Sequence, residues 1–167
     1  MTNLITLHTI DFGNVKAGSE WMVINDAVMG GRTVANKIFT DSSIILKGKL
    51  SLENNGGFSS LRANNTVDLS QYKTISITYK SDFDFDFRLE LYREYWMPNY
   101  KVALPKTQQQ WVTKTYQLTE FSESIMGKNG KALITNLQLA SVIRIGFITA
   151  EKRQENFELE VKEIQFY

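Results

Sequence analysis

The sequence contains no cysteine and a single histidine, His8, among 167 residues. The absence of cysteine excludes disulfides, thiolate nucleophiles and cysteine-ligated metals. Zinc sites draw their ligands from Cys and His, so one histidine argues against zinc. His8 lies in a predicted strand at the chain start, away from the polar motifs described below, so it does not suit a Ser-His-Asp triad. We expect no metal and no other cofactor.

Concentrated charge and long apolar runs are also absent. The 19 Lys and Arg residues nearly balance 18 Asp and Glu residues, giving a net charge of +1 without any basic run. Nucleic acid is therefore not an expected partner. No apolar run approaches the roughly 20 residues of a membrane span, and the first residues lack the basic and then apolar pattern of a signal peptide. We expect no membrane insertion and a cytoplasmic location.

Alternation of apolar and polar residues is the dominant pattern. Hydrophobic residues make up 43% of the chain and charged residues 22%, which is typical of a folded domain, and the length suits a single domain over 1–167. The clearest alternation lies between Phe83 and Leu91, where apolar residues alternate with Asp82, Asp84 and Asp86 and with the charged residues that follow. This segment predicts a half-buried strand whose acidic side chains face solvent.

Similar segments predict about ten short strands in all. Besides the one just described, they lie at or around 4–12, 21–25, 33–39, 44–52, 58–62, 75–79, 102–104, 112–118, 143–147 and 157–166. The alternation of apolar residues shifts by one position between Val161 and Ile164, which predicts a β-bulge near Lys162 and Glu163.

Helical patterns are scarce. We expect one short helical turn around 119–123 and another in the loop 124–136. Turn residues fall between predicted strands, at Asn55-Gly56-Gly57, at Asn129-Gly130 and at the two prolines, Pro98 and Pro105. Many short strands without alternating helices predict an all-β fold of two packed antiparallel sheets, a sandwich or jelly roll, with a closed barrel as the alternative.

Two polar segments differ from ordinary loops. In the first, 21–32, Asn25 and Asp26 precede the pair Gly30-Gly31 and then Arg32. One interpretation is a rigid turn, in which Asn25 and Asp26 bond the local backbone. The other is a ligand or partner site, in which Asp26 and Arg32 present opposite charges on a fixed loop.

The second segment, 51–62, contains Asn54-Asn55 followed by Gly56-Gly57. Asn tolerates the left-handed region and Gly marks a sharp bend. A phosphate-binding loop does not fit, because no Gly-Lys-Ser or Gly-Lys-Thr ending and no helix follow. We predict that Asp26 and Arg32 approach each other or bond the Gly56-Gly57 loop, so that both segments form one surface feature.

An aromatic group follows the Phe-rich strand and comprises Tyr92, Tyr95, Trp96 and Tyr100. If exposed, these rings could stack on sugars or cover an apolar patch of a partner, which makes them candidate aromatic contact residues. If buried, they would close one end of the sandwich. Because only Arg93 and Glu94 bring charge to this segment, we expect burial.

The two Gly-pair segments, in this order and joined by a predicted strand, resemble the family of NADH:ubiquinone oxidoreductase (complex I) intermediate-associated protein 30. Further similarity lies at Asp68-Leu69-Ser70-Gln71-Tyr72, Trp111, Phe121, Ile145-Gly146-Phe147 and Phe157-Glu158-Leu159-Glu160-Val161. The candidate binding residues are those of the two segments: Trp21, Asn25, Asp26, Met29, Gly30, Gly31, Arg32, Glu53, Asn54, Asn55, Gly56, Gly57, Phe58, Ser59 and Arg62.

The resemblance implies a jelly-roll sandwich similar to galactose-binding and carbohydrate-binding domains. It also implies a non-catalytic assembly or protein-binding module, because family members of mitochondria act as chaperones in complex I assembly. The expected partner is a protein client such as respiratory-complex subunits, and we expect a bacterial single-domain relative. A carbohydrate-binding module is the alternative. For an enzyme, the third possibility, Glu53 and Asp26 form the acid pair to test as a glycosidase.

Overall fold

The computed structural model describes residues 7–167, which form two antiparallel sheets packed face to face. The prediction of a sandwich is confirmed, and the sheets do not close into one barrel. The first predicted strand is observed as His8–Asp11, and its residues 4–6 lie outside the described part of the chain.

The described residues contain thirteen strands and two short α-helices. The strands are β1 His8–Asp11, β2 Met22–Asn25, β3 Val34–Phe39, β4 Ile44–Lys49, β5 Ser59–Asn64, β6 Thr74–Ser81, β7 Phe85–Glu90, β8 Asn99–Leu104, β9 Val112–Gln117, β10 Ser122–Ile125, β11 Lys128–Leu133, β12 Arg144–Thr149 and β13 Asn156–Phe166. The helices are α1 Val15–Ser19 and α2 Asn136–Leu139, and short 3-10 helices span Asp26–Met29, Glu53–Asn55, Leu69–Gln71 and Leu118–Glu120.

One sheet has six strands and is organised around β13. Its order is β3-β4-β13-β6-β9, and β1 also pairs with β13. The register between β13 and β6 shifts between Val161 and Glu163, which confirms the predicted bulge. The bulge lies where β13 changes partner, since β4 pairs with it up to Val161 and β1 pairs with it from Glu163 onward.

The other sheet has seven strands in the order β11-β10-β8-β7-β12-β5-β2. At its edge, β10 and β11 form a hairpin that the sequence did not reveal. The turn is Met126-Gly127, both with positive φ of 51° and 81°, the combination that a two-residue hairpin turn requires. The helix expected within 124–136 is therefore wrong, and α2 begins only at Asn136. The helical turn expected near 119–123 is a 3-10 helix at Leu118–Glu120.

The core between the sheets is rich in aromatic rings. Phe147 of β12 is fully buried, and its ring centroid lies 5.0 Å from that of Phe87 and 5.7 Å from that of Trp21. Trp21 in turn packs edge-on against Phe12 at 5.2 Å. These rings link the seven-stranded sheet to the segment that enters it, so they hold β2 at the sheet edge.

Replacing Phe147 with Ala should lower the free energy of unfolding by about 3–5 kcal/mol, because it removes a buried ring and leaves a cavity among its neighbours. The matched control is Tyr95→Ala, whose ring is 63% exposed and whose loss should change stability by about 0.5 kcal/mol or less. Urea unfolding followed by fluorescence measures both. Equal losses for the two variants would contradict this description of the core.

Candidate functional site

The two Gly-pair segments meet at the carboxylate of Asp26, whose residue is only 1% exposed. Its Oδ1 accepts a hydrogen bond from the backbone N–H of Thr33 at 2.9 Å. Its Oδ2 accepts from the backbone N–H of Gly57 at 2.5 Å and of Phe58 at 3.3 Å, and from the Thr33 hydroxyl. Asp26 thus bonds both segments, which confirms that they form one feature. We call this contact the Asp26 joint.

The glycines of both pairs leave room for this carboxylate. A Cβ built on Gly31 would lie 2.4 Å from Asp26 Cγ, and one on Gly56 would lie 2.6 Å from Asp26 Oδ2. Real Cβ atoms do not approach so closely, so any side chain at either position would displace the carboxylate. Close approach to one buried acid therefore explains one glycine of each pair, and the other two, Gly30 and Gly57, have positive φ of 84° and 118°.

Asp26 is held in its ionised form. Burial by itself raises its pKa, but the hydrogen bonds from Thr33, Gly57 and Phe58 together outweigh burial and lower the pKa below its ordinary value of 3.8. A carboxylate with this set of donors is a structural anion, and its oxygens are already occupied. Asp26 is thus not placed to act with Glu53 as a catalytic acid pair.

The other polar residues of the joint pair with one another. Arg32 forms an exposed ion pair with Glu53 at 3.2 Å, so it does not contact Asp26. The side chain of Asn54 donates to the backbone oxygen of Gly30 at 3.0 Å. The rigid-turn interpretation therefore accounts for most of the two segments. Ser59 and Asn25 add a further bond between them, from Oγ to Oδ1 at 2.7 Å.

A groove of about 480 Å³ begins beside the Asp26 joint and crosses the outer face of the seven-stranded sheet. Met29, residues 55–58 and the loop 149–152 form one end. The opposite end is formed by residues of the loop 92–98 and by the hairpin turn at Met126. Its floor consists of outward-facing side chains of the sheet.

The strand register arranges the side chains of this sheet face in three rows, and the floor of the groove is formed by their members Arg62, Asp86, Arg88, Glu90, Asn99, Lys101, Arg144 and Ile148. The central row is Met22, Arg62, Gly146, Arg88, Lys101 and Ser122. The row nearer the Asp26 joint is Ile24, Ser60, Ile148, Asp86 and Ala103. The row nearer the opposite end is Asn64, Arg144, Glu90, Asn99 and Ser124. Paired residues of adjacent strands share a face, so each row is a line of neighbouring side chains.

Ion pairs connect these rows. Glu90 lies 3.2 Å from Arg62 and 2.6 Å from Arg144, measured between the closest nitrogen and oxygen atoms. The contact between Arg144 Nε and Glu90 Oε2 is an ion pair only. The two atoms are not aligned for a hydrogen bond, and neither has another hydrogen-bond partner. Lys101 donates to Asp86 at 2.7 Å.

The expectation that the acidic face of β7 is solvated is wrong for Asp86, which is 6% exposed. Asp86 is enclosed because it lies on the groove floor beside its partner Lys101 on β8.

The aromatic group is divided between the surface and the core. Tyr92, Tyr95 and Trp96 are exposed, so the expected burial is wrong for them, whereas Tyr100 is buried as expected. The three exposed residues lie where the chain leaves the sheet between β7 and β8. Tyr100 lies within β8 on its inward face, and its hydroxyl accepts from Gln138 at 2.8 Å.

The candidate binding residues are placed unequally around the groove. Those that line it are Asp26, Met29, Asn55, Gly56, Gly57, Phe58 and Arg62. Trp21 lies in the core instead. Sequence reasoning missed the floor residues Asp86, Arg88, Glu90, Lys101 and Arg144, although the alternation in β7 put three of them on one face.

Residues 7–167 contain no group of three or more His, Cys, Asp or Glu that could hold a metal ion. Within the same residues, no helix has the length and apolar character needed to cross a bilayer.

Asp26→Asn should lower the free energy of unfolding by about 2–4 kcal/mol at neutral pH, because an amide cannot accept from all four donors and leaves buried N–H groups unpaired. Asp41→Asn, in the exposed turn after β3, is the matched control and should have little effect. The folded-state pKa of Asp26 is lowered, so its contribution is complete above the ordinary value of 3.8 and is lost as pH falls below it. Urea unfolding at several pH values should show the two proteins converging in acid. A constant difference at every pH would contradict this.

Comparison with known proteins agrees with this architecture. A family 11 carbohydrate-binding module of a cellulosomal cellulase of Clostridium thermocellum is 12% identical over 98% of this chain and 95% of its own, with a TM-score of 0.67. A family 11 module of the same organism, solved with a β-1,3-1,4-mixed-linked tetrasaccharide, is 13% identical over 88% of both chains, with a TM-score of 0.60. A variant of a family 29 carbohydrate-binding module is 11% identical over 97% of this chain and 91% of its own, with a TM-score of 0.57. At these identities the likeness establishes the fold alone, a jelly roll of the galactose-binding kind.

None of the curated proteins matches the chain. A family model does match, over residues 10–161, which include the Asp26 joint and all three rows of the groove floor. The chain belongs to the family of complex I intermediate-associated protein 30.

Proposed function

We propose that the chain is a non-catalytic binding domain that holds a polypeptide client in the groove of its seven-stranded sheet, as an assembly factor does. Family membership supports the assembly context, and subunits of a respiratory complex are the first clients to test. The observation that carries the proposal is the groove itself, which joins an ion-paired floor to exposed apolar side chains at both ends.

The apolar side chains at the ends suit a polypeptide. Met29 at one end and Met126 at the other are 61% and 62% exposed, and Tyr95, which is 63% exposed, lines the same groove. Methionine is flexible and polarisable, so it adapts to apolar surfaces of different shape. Exposed apolar side chains that are grouped around one groove, unlike scattered ones, mark a surface that binds a partner.

The size of the groove also suits an extended segment. The floor follows strands such as β7, which has six residues, and at about 3.3 Å per residue the floor is about 20 Å long. An extended client segment of about six residues would therefore span the floor. Side chains on alternate positions would face the floor and the solvent in turn.

A carbohydrate ligand is the second candidate, supported by one feature. Tyr95 and Trp96 form an exposed edge-to-face pair with centroids 5.2 Å apart and an interplanar angle of 82°, and similar folds are carbohydrate-binding modules. Exposed aromatic rings are the surface on which sugars stack. However, the three floor rows contain no aromatic residue, and two perpendicular rings do not make a flat platform. The polypeptide is therefore favoured.

Site-specific photo-crosslinking in native cells tests the polypeptide proposal. A crosslinking amino acid at Met29 or Met126 should capture one defined protein reproducibly, whereas the same group at Thr113, exposed on the six-stranded sheet, should not. Equal capture from both faces, or none from either groove position, would contradict the proposal.

Affinity for the captured client should fall about tenfold in Tyr95→Ala, because Tyr95 lines the groove and losses of this size are common when an exposed aromatic anchor is removed. Trp111→Ala is the matched control, because Trp111 is 39% exposed on the six-stranded sheet beside Lys80 and Lys162, and it should leave affinity unchanged. A glycan array that includes mixed-linked β-glucans tests the second candidate. Sugar binding that survives Trp96→Ala would remove the basis for that candidate.

A further inference from the structure

Arg88 is the cation on the groove floor that has no partner. It stands in the middle of the central row, between Gly146 on β12 and Lys101 on β8. Among the described residues its side chain makes no hydrogen bond, and no carboxylate lies within ion-pair distance of it. The other floor cations are all paired: Arg62 and Arg144 with Glu90, and Lys101 with Asp86.

The neighbouring carboxylates do not neutralise Arg88. Asp86 and Glu90 flank it along β7, but each is directed to another cation. Burial lowers the pKa of Arg88, Arg62 lowers it further, and the attraction of Asp86 and Glu90 offsets this only in part. A partly buried guanidinium without a partner is unfavourable in the free protein, and a ligand anion would remove this cost.

The position next to Arg88 in the central row is occupied by Gly146, which is buried. A Cβ on Gly146 would lie 2.6 Å from the backbone oxygen of Leu61 and 2.8 Å from the Cβ of Arg62. No side chain can therefore stand at this position of the central row. The residue paired with Arg88 on β12 therefore contributes no side chain, and Arg88 itself lines the groove.

A second unpaired polar atom lies one row away. The Oδ1 of Asn99 and the Nε of Arg88 are both buried and lack a hydrogen-bond partner, and both residues line the groove. Arg88 requires an acceptor, and Asn99 Oδ1 requires a donor. An acidic peptide supplies both, through a side-chain carboxylate and a backbone N–H.

The lining of the groove as a whole carries a net positive charge. Its lining includes six cationic residues, Arg62, Arg88, Arg93, Lys101, Arg144 and Lys152, and four acidic residues, Asp26, Asp86, Glu90 and Glu94. Of the acids, Asp26 is already occupied by backbone and hydroxyl donors of the joint. A positive groove attracts acidic segments and discriminates against basic ones.

We propose that Arg88 is the anion anchor of the groove and binds the side-chain carboxylate of an Asp or Glu in an acidic client segment. This inference rests on the proposed function and specifies the chemistry of the client. The planar fork of Arg matches a carboxylate through two parallel hydrogen bonds, whereas Lys offers only a point charge.

Stability measurements show whether Arg88 serves ligand binding or stabilises the folded protein. Arg88→Gln removes an unpaired cation, so its melting temperature should equal or exceed that of the parent protein. Arg62→Gln, in the same row, should melt several degrees lower, because Glu90 loses a partner. If Arg88→Gln lowered the melting temperature as much as Arg62→Gln, Arg88 would be a structural residue and the inference would be overturned.

Binding is tested with the peptide acetyl-Glu-Leu-Glu-amide, monitored through the arginine Nε–H resonances of the labelled protein. The Arg88 resonance should shift with this peptide and not with acetyl-Gln-Leu-Gln-amide. Arg88→Gln should weaken binding about tenfold or more, as expected for loss of a charge-assisted bond, and Arg88→Lys should restore it only in part. Absence of any shift would overturn the inference. Preferential binding of trigalacturonate would also overturn it, by assigning the anchor to an acidic glycan.

The crosslinked client separates failure of this inference from failure of the proposed function. If the client is captured in the groove but binds Arg88→Gln as well as the parent protein, only the anchor is wrong. If the Glu peptide shifts Arg88 but no client is captured from either groove position, the anchor stands and the polypeptide-client function fails.

Discussion

The buried carboxylate of Asp26 is the contact on which the rest of the site depends. It lies in the segment that leaves β2 of the seven-stranded sheet and enters β3 of the six-stranded sheet. By accepting from Thr33 just before β3, and from Gly57 and Phe58 just before β5, it fixes where the chain crosses from one sheet to the other. Removing it would free the crossing and the start of β5 together. The wall of the groove at this end, including Met29, is positioned by the same contact.

The groove floor follows from a second constraint, the pairing of charges on a partly enclosed sheet face. A solvated face tolerates unpaired charges, but a face closed at both ends by loops does not. Glu90 is held between Arg62 and Arg144, and Asp86 is held by Lys101, so these four strands carry two separate sets of ion pairs. Arg88 differs from the other floor cations because the carboxylates on both sides of it, Asp86 and Glu90, already pair with other cations. The floor is therefore preorganised, with its charges positioned before any ligand arrives.

Much of the sandwich could be predicted because period-2 alternation is a local signal. The strands around Phe87 and Ile77, the bulge after Val161 and the joining of the Gly pairs by Asp26 all follow from residues near one another in sequence, or from a single unusual cluster. The β10–β11 hairpin could not be predicted, since β11 is mostly exposed and shows no alternation. The prediction that the aromatic group is buried was partly wrong for a related reason. Tyr95 and Tyr100 look alike in composition, and only the pairing of β8 places one in the core and leaves the other outside.

The groove lay beyond sequence reasoning because a polar face of a strand has the same pattern whether it is solvated or enclosed. In β7 the residues opposite the Phe side chains are Asp86, Arg88 and Glu90, and only the loops at either end of the sheet decide that they line a groove. Gly146 shows how a family motif spans both faces. Ile145 and Phe147 point into the core, whereas Gly146 lies on the opposite face of the sheet, paired with Arg62 and Arg88. A side chain there would collide with the backbone of β5. The motif Ile145-Gly146-Phe147 thus serves the packing of the sandwich with two residues, and the third allows β12 and β5 to approach closely and leaves Arg88 without a neighbouring side chain at its paired position on β12.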